Sequence, residues 1–152
     1  MTNFRPKPDV ISLIVCDQII TDRLTGKQSL IGMFSRVHAR MFPASHPQLS
    51  VFVMLTDGHG KTELMIRIVD SNDARPPIVE GKGYVDFRSP RAIAHLALQF
   101  HGLAFPQPGE YRVQIWCQNE LLREARLELV EMRSQPQGSG DAEPPDQGPP
   151  SE

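Results

Sequence analysis

The residues best equipped for chemistry in this chain are five histidines, two cysteines and two aspartate-bearing loops. His95 and His101 share one face of a predicted strand. Six residues at about 3.3 Å each put them roughly 20 Å apart, too far to hold one ion. His38, His46 and His59 fall on separate predicted elements without zinc-like spacing, and Cys16 and Cys117 stand far apart in the chain. No metal site and no cofactor is expected. Asp57 and the run Asp70-Ser71-Asn72-Asp73 offer loop oxygens of the kind that hold calcium in lipid-binding sandwich domains. The regular calcium spacing, with its central glycine and distal glutamate, is missing, and turn formation accounts for these side chains. Gly138-Ser139-Gly140 is too short for a nucleophile elbow, and Ser89 before Pro90 shapes a turn. Neither Gly58-His59-Gly60 nor Gly81-Lys82-Gly83 opens a helix whose backbone could cradle phosphate. Glu124 and Glu128 flank Arg126 on a solvent-facing row suited to cross-strand ion pairs. No nucleophile, base and orienting group can be named together, so no catalytic residue is expected.

Large side chains on the polar faces of predicted strands are the better candidates for function. Trp116 is in phase with Arg112 and Gln114, Phe34 with Arg36 and His38, and Phe52 and Met54 oppose the row of Val51. If those faces meet solvent, Trp116, Arg112, Phe34, Arg36, Phe52 and Met54 form an interface for a protein partner or a second copy. The other reading is that sheet curl, or a loop such as 71–92, covers them. Arg36, His38 and Arg40 line one side of a long strand, as a solvated polar face or as an anion or RNA contact row. Few aromatics accompany them, which argues against nucleic acid.

These residues must be carried by strands, because apolar residues recur with period two almost throughout. In residues 10–20, Ile11, Leu13 and Val15 fall on one face and Val10, Ile14 and Cys16 on the other, as in a strand covered on both sides. Residues 28–42 read as one long strand, with Ile31, Met33, Val37, Ala39 and Met41 alternating with polar positions. Pro43 and Pro47 bracket a loop, and Leu49, Val51, Val53 and Leu55 form the inward row of the next strand. Asp57-Gly58-His59-Gly60 is a hairpin turn whose glycines supply positive φ, and Leu64, Ile66 and Ile68 lie in phase on the return strand, 61–70. A fifth strand covers 78–87, where Gly81 and Gly83 suggest a bulge or an edge. Strands at 93–103, 110–118 and 121–131 complete a set of eight. Eight short strands separated by turn signals make an antiparallel two-sheet sandwich the expected fold. Cys16 and Cys117 then become buried, inert thiols, with a disulfide as the alternative.

Composition is that of one domain with extensions. No apolar run approaches the roughly 20 residues that cross a bilayer, and the start lacks a secretory core, so a cytoplasmic location is expected without membrane contact. The formal charge of -2 is too balanced to favour a nucleic-acid partner. Residues 1–8 read as an extended arm and 9–133 as the sandwich. Residues 134–152, rich in proline, glycine and acids, read as a disordered tail, either solubilising or partner-binding.

Gly109-Glu110-Tyr111-Arg112-Val113 resembles the tyrosine corner of immunoglobulin-like domains, in which a tyrosine after a turn glycine bonds back across the turn. Pro108 stands where that motif carries an acid, and Val113 where it carries a disulfide cysteine, so the resemblance brings no disulfide. Over a longer span, Gly102-Leu103-Ala104-Phe105-Pro106-Gln107-Pro108-Gly109-Glu110-Tyr111 with Glu120-Leu121-Leu122-Arg123-Glu124 resembles short bacterial β-sandwich proteins of a family of unknown function. The similarity covers most of 9–131 and implies an immunoglobulin-like fold and a bacterial source, without an activity. The function expected is a non-enzymatic binding or assembly module, for a protein partner or for a second copy of itself. The competing class is a hydrolase or calcium-dependent lipid binder built on the loops near Asp57 and Asp70.

Overall fold

A computed structural model describes residues 6–72 and 75–133. The expected acidic tail and the first five residues of the expected arm lie outside the described residues. Nine strands follow in order: β1 (Asp9–Thr21), β2 (Gln28–Met33), β3 (Arg36–Ala39), β4 (Ala44–Thr56), β5 (Gly60–Asp70), β6 (Val79–Phe87), β7 (Ala94–Phe105), β8 (Gly109–Cys117) and β9 (Glu120–Glu131). They form a four-stranded sheet, β2-β1-β4-β7, packed on a five-stranded sheet, β3-β9-β8-β5-β6. Leu49, Val51, Val53 and Leu55 of β4 meet Leu64, Ile66 and Ile68 of β5 and Val113 and Ile115 of β8 in one buried core. Each such side chain contributes about 1.5–3 kcal/mol by leaving water.

Three local departures from strict alternation explain where the sequence reading and the fold differ. The long strand expected over 28–42 divides, because the chain changes sheets at Phe34 and Ser35. Phe34 N donates to Val15 O (3.1 Å) in one sheet, and Ser35 O accepts from Glu128 N (2.9 Å) in the other. β3 then runs parallel to β9, so the sandwich is not wholly antiparallel. In β1 a register shift between Val10 and Ser12 bulges out Ile11, which is 45% exposed, and returns Val10 to the core beside Val15. Finally, β4 begins at Ala44 and runs through Pro47, where a loop was expected. β1 pairs with β4 only as far as Cys16 and Ser50, so the missing N–H of Pro47 costs no bond to that neighbour.

Beyond Cys16, β1 pairs with β2 instead and the two form a ribbon. Gln28, paired with Thr21 near the ribbon tip, lies 3.1 Å from His95 Nδ1 on β7. His95 sits beside Met54, and Met54 beside Ser12, nine residues back along β1 from Thr21. A straight ribbon would leave about 30 Å between them. The ribbon therefore doubles back over the outer face of the four-stranded sheet. Its cover accounts for burial of Phe52 and Cys16 on that face.

Gly81 and Gly83 lie on an edge strand, as expected, but without a bulge. A Cβ at Gly83 would stand 2.5 Å from Leu96, so the glycines admit side chains of β7 from the facing sheet.

Cys16 and Cys117 are free and buried, and burial is the main cause pushing both thiols up. Each keeps its proton in the folded state at a pH where the unfolded thiol has lost it. Their contribution to stability is therefore full below the unfolded value of about 8.5 and is lost as pH rises towards the folded values. Denaturation midpoints are expected to fall between about pH 7.5 and about pH 9.5, and a thiol reagent at the lower pH should label neither cysteine until denaturant is added. Rapid native labelling, or a midpoint that rises with pH, would contradict this account.

Candidate functional site

Inward packing of Leu64, Ile66 and Ile68 forces Lys61, Glu63, Met65 and Arg67 onto the outer face of β5. Register sets Met65 beside Trp116 of β8 and Glu63 beside Tyr84 of β6. These outward rows line a groove of about 640 Å³. One wall is the segment carrying Pro6 and Pro8, held by an ion pair between Lys7 and Glu120. Another is the β8–β9 turn, a two-residue loop with Gln118 at φ 51° and Asn119 at φ 63°. Positive φ at both centres is the geometry of a type I′ hairpin, reached here without glycine.

Cations lie over both aromatic rings. The Arg67 guanidinium carbon is 5.2 Å from the Trp116 centroid, and Lys61 Nζ is 4.9 Å from that of Tyr84. The Tyr84 hydroxyl donates to Glu63 Oε2 at 2.9 Å, and Lys82 Nζ approaches Glu63 Oε1 at 3.6 Å. That hydrogen bond pushes the Tyr84 phenol up and keeps its proton in place. Arg67 Nε stands 2.8 Å from Glu80 Oε1, near enough for an ion pair although not aligned for a hydrogen bond. Trp116 Nε1 donates to Gln114 Oε1 at 3.0 Å. Among the described residues, Lys61 and His59 have no carboxylate partner, so the groove offers uncompensated donors beside an apolar lining. Among the described residues that line it, none form a paired nucleophile and base.

The six candidate interface residues are distributed over four places. Trp116 lies in the groove and is half-buried. Arg112 is outside it, bound to Glu110 (3.1 Å) and Glu124 (2.6 Å), and the Glu110 hydrogen bond is the main cause raising its pKa. Phe34 and Arg36 border a shallow hollow of about 360 Å³ with His46, and Arg36 pairs with Glu128 at 3.1 Å. Phe52 is 6% exposed, edge-on to His95 beneath the β1–β2 ribbon, and Met54 beside it is half-buried. Trp116, Arg112 and Arg36 belong to the five-stranded sheet, whereas Phe52 and Met54 lie on the outer face of the four-stranded one, so the six do not form one continuous surface. Tyr84, Lys61, Arg67 and His59 were not anticipated. The signal was the alternation Lys61, Glu63, Met65, Arg67, the outward counterpart of the apolar row read from the same strand.

The acidic loops do not converge. Asp57 precedes β5 and Asp70 ends it, at opposite ends of a strand roughly 35 Å long. Asp70 is buried and engaged by Asn72 N (3.0 Å) and Arg75 Nη1 (2.9 Å). A calcium or hydrolytic centre combining the two is therefore ruled out by distance. Among the described residues no cluster of three histidine, cysteine or acidic side chains is placed to hold a metal ion, and no helix is long and apolar enough to cross a membrane.

Two face-packed sheets without a helix among the described residues define an all-β sandwich of immunoglobulin-like type. Residues 11–130 match a family of unknown function, DUF6941, and the chain belongs to it. No curated protein matches the chain in sequence. An immunoglobulin-like protein from Pseudomonas aeruginosa superposes with a TM-score of 0.43 at 12% identity, covering 84% of this chain and 100% of its own. A mutant β-glucosidase from Listeria innocua gives 0.46 at 12% identity, covering 81% of this chain and 16% of the enzyme. A β-glucosidase from Erythrobacter marinus gives 0.43 at 16% identity, with 78% and 15% covered.

Proposed function

We propose that this protein is a non-enzymatic recognition module whose partner enters the groove beside Trp116. The observation that carries this reading is the gathering in one cavity of about 640 Å³ of Trp116, Tyr84, Lys61 and His59, the last two without a carboxylate partner among the described residues. A half-buried Trp116 and an exposed Tyr84 next to donors without a carboxylate partner have the composition of a binding centre. Affinity capture with the full chain tests it against two variants that keep the fold. Lys61→Glu, which reverses the charge over Tyr84, should lose bound material at least tenfold, whereas Ile31→Lys on the distant β1–β2 ribbon should retain it. The opposite pattern would move recognition to the ribbon and overturn the groove reading. There β2 is an uncharged edge strand that carries exposed Ile31 and Met33, lies beside exposed Ile20 of β1 and is suited to pairing with a second copy.

A further inference from the structure

We propose that the groove takes an acidic, proline-bearing segment, and that this segment is the chain's own residues 141–152, folded back on the same molecule. The inference rests on reading the groove as a recognition site and adds the class of its ligand. Stacked cations bear first on that class. With Arg67 over Trp116 and Lys61 over Tyr84, a cation occupies one face of each ring, and a ligand that stacked on that face would have to displace it. Ring edges and a slot remain, and the slot is already walled by one proline-bearing stretch of this chain, Pro6-Lys7-Pro8, with Pro8 buried. Proline restricts φ to about −65° and has no N–H to satisfy, so a second such stretch fits beside aromatic edges at little cost in entropy.

Charge selects the sign. Both oxygens of Glu63 are engaged, by Tyr84 and by Lys82, while Lys61 and His59 have no carboxylate among the described residues. The complement is a ligand with carboxylates and no basic group. Residues 141–152 read Asp-Ala-Glu-Pro-Pro-Asp-Gln-Gly-Pro-Pro-Ser-Glu, with acids at Asp141, Glu143, Asp146 and Glu152 and no lysine or arginine. Reach is sufficient. β9 carries the chain from Glu120, beside the groove, to Glu131 at its far end, a distance of roughly 40 Å. The 15 residues from Glu131 to Asp146 span up to about 50 Å and the 21 to Glu152 up to about 70 Å, so Asp146 and Glu152 can return to Lys61.

Trp116 is the only tryptophan, so its emission reports on the groove. The full chain would be compared with a full-length variant carrying Asp141→Asn, Glu143→Gln, Asp146→Asn and Glu152→Gln. The variant should emit further to the red and be quenched more readily by acrylamide. High salt should bring the natural chain to the same state, independently of protein concentration. A synthetic peptide of residues 141–152 should bind the neutralised variant and restore the natural emission. It should bind the natural chain roughly tenfold more weakly if the tethered segment fills the groove nine-tenths of the time. Adding Lys61→Glu should abolish the peptide's effect. Identical emission and quenching in the two chains, with no response to peptide, would overturn the proposal. A difference that grows with protein concentration would overturn the same-molecule arrangement in favour of a second copy. A response of Trp116 to neutral peptides or oligosaccharides alone would overturn the acidic ligand while leaving the groove as the recognition site.

Discussion

Gly58→Ala is expected to destabilise the protein by about 3 kcal/mol, lowering the melting temperature by about 10 °C, although it adds one methyl group at a surface turn. The left-handed residues of that turn are Asp57, at φ 60°, and Gly60, at φ 61°, so backbone freedom is not what Gly58 supplies. It supplies space. A Cβ there would stand 2.2 Å from Phe87 Cδ2 and 2.3 Å from Cε2, inside the contact distance of the ring. Phe87 is 2% exposed at the end of β6 and belongs to the core, so its ring can yield only by displacing neighbours. Adding Phe87→Leu should therefore cost less in the Gly58→Ala background than in the natural chain, giving a coupling energy of about 1 kcal/mol or more. Gly26→Ala is the control. Its Cβ would meet nothing within 4 Å, and only the left-handed φ of 71° opposes it, a cost of about 1 kcal/mol. A melting temperature for Gly58→Ala within 2 °C of the natural chain would show that the ring moves freely.

The same turn shows how far the residues themselves disclose the fold. Asp57-Gly58-His59-Gly60 identifies a hairpin from composition alone, but the division of labour among its residues depends on Phe87, which belongs to another strand. Inward rows such as Leu64, Ile66 and Ile68 are legible because side chains alternate strictly along an unbroken strand. Alternation breaks at Ile11 and at the crossing between Phe34 and Ser35, where a bulge and a change of sheet leave no mark in local periodicity. The parallel pairing of β3 with β9 joins segments 92 residues apart, at Arg36 and Glu128, and period two cannot encode a partner. Trp116 was legible as part of the site because it is a large aromatic out of phase with a buried row. Its neighbours were hidden for the opposite reason: Lys61 and Arg67 look like ordinary solvent-facing charges until register places them over aromatic rings. For Phe52 the covered alternative holds, but the cover is a ribbon folded back from β1 rather than the loop 71–92, a long-range arrangement with no local signature.

Removing the ring of Tyr111 is expected to be the most damaging single change, about 3–5 kcal/mol for Tyr111→Ala, and the hydroxyl alone accounts for about 1–2 kcal/mol of it. The side chain is 1% exposed and meets Phe105 edge-on at 5.1 Å, closing the core beneath the turn that leads into β8. Its hydroxyl donates to Gln107 O at 2.6 Å and accepts from Gln107 N at 3.3 Å, so one oxygen satisfies both backbone groups of a residue in the β7–β8 turn. Tyr111→Phe keeps the ring and leaves both groups to water, which reaches this half-buried turn in part. The lower end of the range for an unmade bond therefore applies. Gly109, at φ 137°, would still make the turn, so Tyr111→Phe should fold, melt earlier and keep the native emission of Trp116 five residues further along the same strand. Tyr111→Ala opens a cavity against Phe105 that no neighbour is long enough to fill, and its loss should exceed that of Tyr111→Phe by at least 1.5 kcal/mol. Equal stability of Tyr111→Phe and the natural chain, in denaturation followed by circular dichroism, would leave Gly109 and the aromatic contact as the sole supports of the turn.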